Sequence, residues 1–193
     1  MWAVIDRKYK FYIAFTPAII FYVIYSEFMG LSFLRSVSYT FTTLTFLAFI
    51  VGKFLWKYIY IDFFKTHICP NLNGNWNGII TSNFDTGTKV EVPVKIAADF
   101  FNIKMYIKTT VGYSHASYCR IIKLEDGNYE LQYIFKAVNY IVAATDVDYY
   151  DGAARVSIDI TSPNIMHGVF WTNRNWRQKG NTAGQIVIEK SLN

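Results

Sequence analysis

Two long apolar runs, Phe11 to Ser26 and Val37 to Gly52, fall within the first 65 residues of this chain and constrain it more than any other feature. The core of a bilayer takes about 20 helical residues. Aromatic and aliphatic flanks bring each run to that length, giving expected spans over residues 9–29 and 37–61. Lys53 and Lys57 then sit near the end of the second span, where their aliphatic stems let the ammonium groups reach the interface. Tyr22, Tyr25, Trp56, Tyr58 and Tyr60 suit the aromatic belt of a membrane protein. A second run so soon after the first, with no small-x-small cleavage site between them, argues against a signal peptide. The expected organisation is a two-helix transmembrane hairpin over 1–65 and a separate domain over 70–193.

The charges orient the hairpin. Arg7, Lys8 and Lys10 precede the first span, and Lys53, Lys57 and Lys65 lie at or beyond the end of the second. The intervening loop has one acid, Glu27, and one base, Arg35. The positive-inside rule puts both termini and the 70–193 domain on the cytoplasmic side. Residues 1–68 carry seven bases and three acids, a net of +4, while the remainder nets +1. Basicity is therefore mainly a membrane feature. It suits an anionic lipid bilayer as partner and gives little support to a DNA or RNA polymer.

After Cys69 the pattern changes to alternation. Val90, Val92, Val94 and Ile96 alternate with Lys89, Glu91, Pro93 and Lys95, which sets one face inward and one toward water. Ile103, Met105 and Ile107 repeat this, as do Val156, Ile158 and Ile160. Asn75–Ser82, Tyr118–Leu124, Tyr129–Val138, Ile165–Thr172 and Thr182–Glu189 complete eight expected strands. Turns are expected at Asp85-Thr86-Gly87, Asp126-Gly127-Asn128, Asp151-Gly152, Pro163-Asn164 and Gly180-Asn181. Pro93 lacks a ladder donor, so an edge or bulge is expected there. Eight short hairpin-linked strands in about 120 residues fit a small antiparallel up-and-down β-barrel. Strand pattern alone does not report closure, so a two-sheet sandwich is the alternative.

The sequence lacks the patterns of catalysis. His67, His115 and His167 are scattered, with His115 placed in a loop and His167 at the start of a strand. There is no His-x-x-x-His pair, no Gly-x-Ser-x-Gly elbow and no phosphate-cradling glycine loop. Cys69 and Cys119 have no metal-ligand spacing and read as ordinary thiols. Asp146, Asp148 and Asp151 read as a solvated acidic loop, since the liganding pattern of a calcium loop is absent. No catalytic residue, no metal and no cofactor is expected.

One polar cluster stands apart: Trp171-Thr172-Asn173-Arg174-Asn175-Trp176-Arg177. Arg engages phosphate through a planar fork, Trp stacks on a base, and Thr and Asn read ring edges. Such a set suits a compact anionic ligand with aromatic rings. The alternative is a solvated hairpin with one aromatic plugging the barrel end.

Pro70-Asn71-Leu72-Asn73-Gly74-Asn75-Trp76-Asn77-Gly78 resembles the Leu-x-Gly-x-Trp-x-Gly opening of a known family's β domain. That family is the two-transmembrane, β-strand-rich effectors of bacterial anti-phage signalling, the CD-NTase-associated (SMODS-associated) effectors of CBASS operons. Leu131-Gln132-Tyr133-Ile134-Phe135 is similar to their Leu-x-Tyr-x-aromatic strand. His167-Gly168-Val169-Phe170-Trp171-Thr172-Asn173-Arg174, followed by Gly180-Asn181-Thr182-Ala183-Gly184, resembles their closing elements. The likeness covers the whole chain and includes the hairpin-first order. It departs at Asn102, where the family carries a longer amide.

The resemblance implies a receptor for a cyclic dinucleotide made by a partner CD-NTase. The chain would sit in the bacterial inner membrane, form a homo-oligomer on activation and disrupt the membrane so that the infected cell dies. Trp171, Thr172, Asn173 and Arg174 are then the expected ligand-binding residues, with Trp76 or Tyr113 as further stacking partners. Ser38, Thr42, Thr43 and Thr45 put hydroxyls on the second helix, available for bonds between helices or to the preceding turn of their own. The competing readings are a membrane-anchored lipocalin-like module for an apolar ligand and a structural adaptor with a filled barrel. A lipid binder needs a continuous apolar cavity, whereas a nucleotide sensor gathers basic and aromatic groups at an open end.

Overall fold

The computed structural model describes residues 2–5, 7–59, 70–83, 89–142 and 146–191. Two compact units make up the chain, one helical and one of β-strands.

The helical unit contains α1 (Arg7–Phe28) and α2 (Phe33–Leu55), both long and apolar enough to cross a membrane, followed by the short α3 (Trp56–Ile59). At 1.5 Å per residue, the 22 and 23 residues of α1 and α2 extend for about 33 and 35 Å, enough for a hydrocarbon core of about 30 Å. The helices begin at Arg7 and Phe33, a few residues before the expected starts at 9 and 37. Residues 60 and 61, the expected end of the second span, lie outside the described residues, as do Lys65, His67 and Cys69. Pro17 lies inside α1, where its ring nitrogen cannot donate to the carbonyl one turn back. The hydroxyls divide by role. Thr42 and Thr45 bond back to the carbonyls of Ser38 and Phe41, at 3.0 and 2.9 Å. Thr43 instead meets the Tyr25 hydroxyl of α1 at 2.7 Å.

The β unit is a closed barrel of β1 (Gly74–Ser82), β2 (Lys89–Ala98), β3 (Ile103–Lys108), β4 (Gly112–Lys123), β5 (Tyr129–Asn139), β6 (Tyr149–Ile158), β7 (Ile165–Thr172) and β8 (Ala183–Lys190). Each strand runs antiparallel to the next, and β8 closes on β1 with Gly78 opposite Ile188. The sandwich alternative is excluded, since a sandwich leaves its sheets open. Pro93 lies opposite Asn77 of β1, one residue beyond the point where pairing with β3 ends at Val94 and Ile107. It therefore occupies an edge-like position within a closed sheet.

Two expected segments need correction. β4 begins at Gly112 and not Tyr118, so His115 lies within a strand. Its alternation is broken by a bulge: the register with β5 shifts between Ala116 and Tyr118, which turns inward-facing positions from even to odd. β6 runs from Tyr149 to Ile158, so Asp151-Gly152 lies within a strand and Ile160 lies beyond it. Gly152 serves a close approach rather than a turn, because a Cβ there would come within 2.4 Å of the Phe135 ring and 2.8 Å of the Trp171 carbonyl oxygen. The Asp126-Gly127 turn is present, with Gly127 at φ 89° and the Asp126 carboxylate accepting from the Asn128 amide at 2.9 Å. The Asp85-Thr86-Gly87 turn lies outside the described residues.

One half of the barrel is packed solid. Ile96, Tyr129, Leu131, Val156, Ile158, Met166 and Ile188 point inward from the β2, β5, β6, β7 and β8 ends that share this pole, and all are essentially inaccessible. Trp76 and Leu72 seal it: the indole Nε1 donates to the Leu72 carbonyl at 2.9 Å, and the Lys190 ammonium lies 5.4 Å from the ring. Toward the opposite pole, where β1, β3, β5 and β7 end, the described residues leave the barrel open.

Candidate ligand-binding site

A cavity of about 410 Å³ occupies the open half of the barrel, within the range of about 300–1,000 Å³ typical of small-molecule sites. Ile80, Val92, Ile107, Tyr133, Phe170 and Ile186 contribute apolar wall. Ser82, Thr109, Thr110, Ser114, Asn139, Tyr150, Thr172, Arg174 and Thr182 contribute polar groups. The packed half stops the cavity short of the far pole, so no apolar channel runs the length of the barrel.

The strand period decides which members of the polar cluster reach this space. On β7, Phe170 and Thr172 face inward and border the cavity. Trp171, between them, is therefore on the outer face, 46% exposed. Arg174 borders the cavity from the β7–β8 loop, and Tyr113 borders it from β4. Asn173 extends the β6–β7 ladder: its amide donates to the Asp151 carbonyl at 2.9 Å and its side-chain oxygen accepts from the Asp151 amide at 2.8 Å. Trp76 is buried at the closed pole, with 1% exposure. Of the six expected ligand-binding residues, Thr172, Arg174 and Tyr113 border the cavity, whereas Trp171, Asn173 and Trp76 do not.

The loop holding Arg174 is tightly wound. Asn175 and Lys179 both take left-handed backbone conformations, φ 44° and 58°, around the turn Trp176–Gln178. Below it, the Thr172 and Thr182 hydroxyls meet at 2.7 Å, and the Arg174 amide donates to the Thr172 hydroxyl at 3.3 Å. The hairpin thus presents a hydroxyl pair and a guanidinium side by side. Arg174 is paired: Nε donates to Asp146 Oδ1 at 2.8 Å, and Nη2 donates to Asp146 Oδ2. Its guanidinium carbon also lies 5.4 Å from the centre of the Tyr150 ring.

Asp146 is therefore not the solvated acidic group expected from sequence; its side chain is only 16% exposed. The Arg174 hydrogen bonds hold its carboxyl below the usual carboxylate range, against the opposing effect of partial burial, and the Val147 amide adds to this. Burial pushes the Tyr150 phenol up, so it stays a neutral hydroxyl at the cavity wall. Around Tyr113 the outer surface is aromatic, with ring centres of Tyr106, His115 and Tyr140 at 5.9, 6.1 and 5.5 Å.

Sequence reasoning missed Asn139, Tyr150, Asp146 and Thr182. Only Thr182 carried a signal, as the partner of Thr172 across a hairpin. The others are joined to Arg174 by tertiary contacts alone. Among the described residues, no three His, Cys, Asp or Glu side chains converge as metal ligands. Burial raises the Cys119 thiol to about 12, well away from nucleophilic chemistry.

Residues 67–189 match the family described as Cap15, cyclic dinucleotide receptor domain. The chain belongs to the Cap15 family. A CD-NTase-associated protein 15 from Escherichia albertii is 49% identical over 193 residues, covering 100% of this chain and 99% of that protein. The Cap15 match spans all eight strands up to Glu189 of β8 and so includes the cavity, its hydroxyl pair and Arg174.

Proposed function

We propose that this chain is a membrane-anchored anti-phage effector whose barrel binds a cyclic dinucleotide in the open half and does not hydrolyse it. The nucleotide is the product of a partner CD-NTase. The observation that carries this reading is the cavity at the open pole, where Arg174, Tyr150 and the Thr172–Thr182 hydroxyl pair share one space. A guanidinium engages phosphate through two parallel hydrogen bonds, aromatic faces stack on bases, and hydroxyls serve either donors or acceptors. A lipocalin-like apolar ligand finds less support, because the cavity ends at the packed half and is bordered by Arg174, Tyr150 and the Thr172–Thr182 hydroxyl pair.

The hairpin anchors the chain in the bacterial inner membrane with both termini and the barrel in the cytoplasm, a topology supported by the basic flanks and the nearly neutral loop. Ligand binding assembles chains into a homo-oligomer, and the assembled hairpins disrupt the bilayer and kill the infected cell. The test is calorimetric titration of the full chain with a panel of cyclic di- and trinucleotides, with product analysis of each mixture. Saturable binding of a cyclic dinucleotide without turnover supports the reading. Turnover rejects the receptor-only account, and silence across the panel favours the apolar-ligand or adaptor alternatives.

A further inference from the structure

We infer that Asp146 is a positioning residue for ligand recognition: acting through Arg174, it fixes the guanidinium at the cavity wall before ligand arrives. The inference rests on the reading of the barrel as a cyclic dinucleotide receptor. Arg174 borders the cavity and Asp146 does not. The carboxylate takes Nε and Nη2, one edge of the guanidinium.

Asp146 is itself held. Its Oδ1 accepts from the Val147 amide at 2.8 Å, and its Oδ2 lies 3.4 Å from Asn139 Nδ2. Asn139 also donates its Nδ2 to the Val147 carbonyl at 2.9 Å and its amide to the Asp148 carbonyl at 2.8 Å. A relay thus runs from the end of β5 through Asn139 and Asp146 to Arg174, and the Tyr150 ring flanks the guanidinium. An unrestrained arginine side chain loses much rotamer freedom when it grips an anion. Here the Asp146 bonds already hold the guanidinium at the cavity wall, so phosphate meets a positioned donor set.

The opposite role, a carboxylate that competes with phosphate for the guanidinium, predicts the opposite sign. Simple charge also predicts that sign, since removing an anion near the site favours an anionic ligand. Positioning, unlike competition or bulk charge, makes the loss of Asp146 weaken binding. The experiment is calorimetric titration of the full chain with cyclic dinucleotides, comparing wild type, Asp146→Asn, Asp148→Asn, Arg174→Lys and the Asp146→Asn/Arg174→Lys pair.

Asp146→Asn is expected to weaken binding about tenfold or more, the scale of a compromised charge-assisted contact. Asp148→Asn removes the same charge from an exposed neighbour and should leave binding equal or tighter. In the Arg174→Lys background, where no fork remains to be oriented, Asp146→Asn should add no further loss. Melting curves accompany each variant, and Asp146→Ser replaces Asn if the latter lowers the transition. Equal or tighter binding by Asp146→Asn overturns the inference, as does an undiminished loss in the Arg174→Lys background, which would mark a merely structural role. If neither wild type nor any variant binds a cyclic dinucleotide, the receptor reading fails and this inference falls with it. Normal binding by wild type and Asp146→Asn alike sinks only the inference.

Discussion

The two tryptophans on opposite sides of the strand pattern make different predictions. Trp76 fills the closed pole with its indole bonded to the Leu72 carbonyl, so Trp76→Ala should cost about 3–5 kcal/mol of stability while leaving the affinity of folded protein unchanged. Trp171 is half exposed on the outer face, so Trp171→Ala should change stability by less than about 0.5 kcal/mol and leave affinity alone. Denaturant melts and titration of both variants check this, and a large loss of affinity in Trp171→Ala would return that indole to the ligand. Glu130 makes a separate prediction about pH. Its side chain is 7% exposed and accepts from Arg155 Nη2 at 2.9 Å, from Arg155 Nε at 3.1 Å and from Gln132 at 2.6 Å. The Arg155 hydrogen bonds, foremost, hold the carboxyl below its ordinary range despite burial. The folded state therefore keeps this group ionised at a pH where the unfolded chain takes up a proton. Its stabilising effect is complete above the ordinary carboxylate range and is lost as pH falls through the lower folded value. Melting temperatures recorded from about pH 7 down to about pH 3 should fall less steeply for Glu130→Gln than for wild type; parallel curves would show that the pair does not set the acid limb.

At the scale of elements, the bulge in β4 sets which of its side chains face the barrel interior. Ser114 and Ala116 face inward before it, and Cys119 and Ile121 face inward after it, because the register steps between Ala116 and Tyr118. Deleting Ser117 removes that step and forces one half of β4 to turn its inward side chains to water. The deletion should abolish cooperative unfolding, whereas Ser117→Ala loses only an exposed bond to the Ile134 carbonyl, about 0.5–1.5 kcal/mol. A deletion that melts like wild type would mean that the bulge is incidental. The same bulge explains what the sequence did and did not disclose. β7 is legible residue for residue as Ile165–Thr172, and β1, β3 and β5 within a residue at each end, because turn-forming residues bound them. The first half of β4 is hidden, since a change of parity erases the period on which such reading depends. The start of β6 is hidden by Asp151-Gly152, whose turn-like composition reflects the crowding of Phe135 against the backbone. At the site, Thr172, Arg174 and Tyr113 were legible as residue types suited to phosphate and base. Asn139, Tyr150 and Asp146 were not, because their grouping depends on β5, β6 and the β7–β8 loop meeting at one pole.

For the whole molecule, the proposed function requires that a signal in solution reach the bilayer. Tyr25 and Thr43 bond α1 to α2, a contact of a kind worth about 0.6–2 kcal/mol in membranes. A single pair of helices is too little wall for an aqueous path, since every lipid-facing backbone group must stay bonded within its own helix. In the proposed mechanism, then, assembly of several chains comes before damage, and ligand binding by the barrel is the step that drives it. The expected outcome is a ligand-dependent shift of the full chain from small to larger species by sedimentation or cross-linking. Dye entry or loss of membrane potential should follow when the nucleotide is supplied in cells. Residues 70–193 alone should fold, bind ligand with the affinity of the full chain and cause no damage. Arg174→Lys in the full chain should raise the nucleotide concentration needed for both assembly and damage by the same factor, because one binding event precedes both. If the two responses separate, or if damage appears with chains that cross-link only as monomers, the link from barrel to hairpin is not assembly, and the hairpin reverts to a passive anchor.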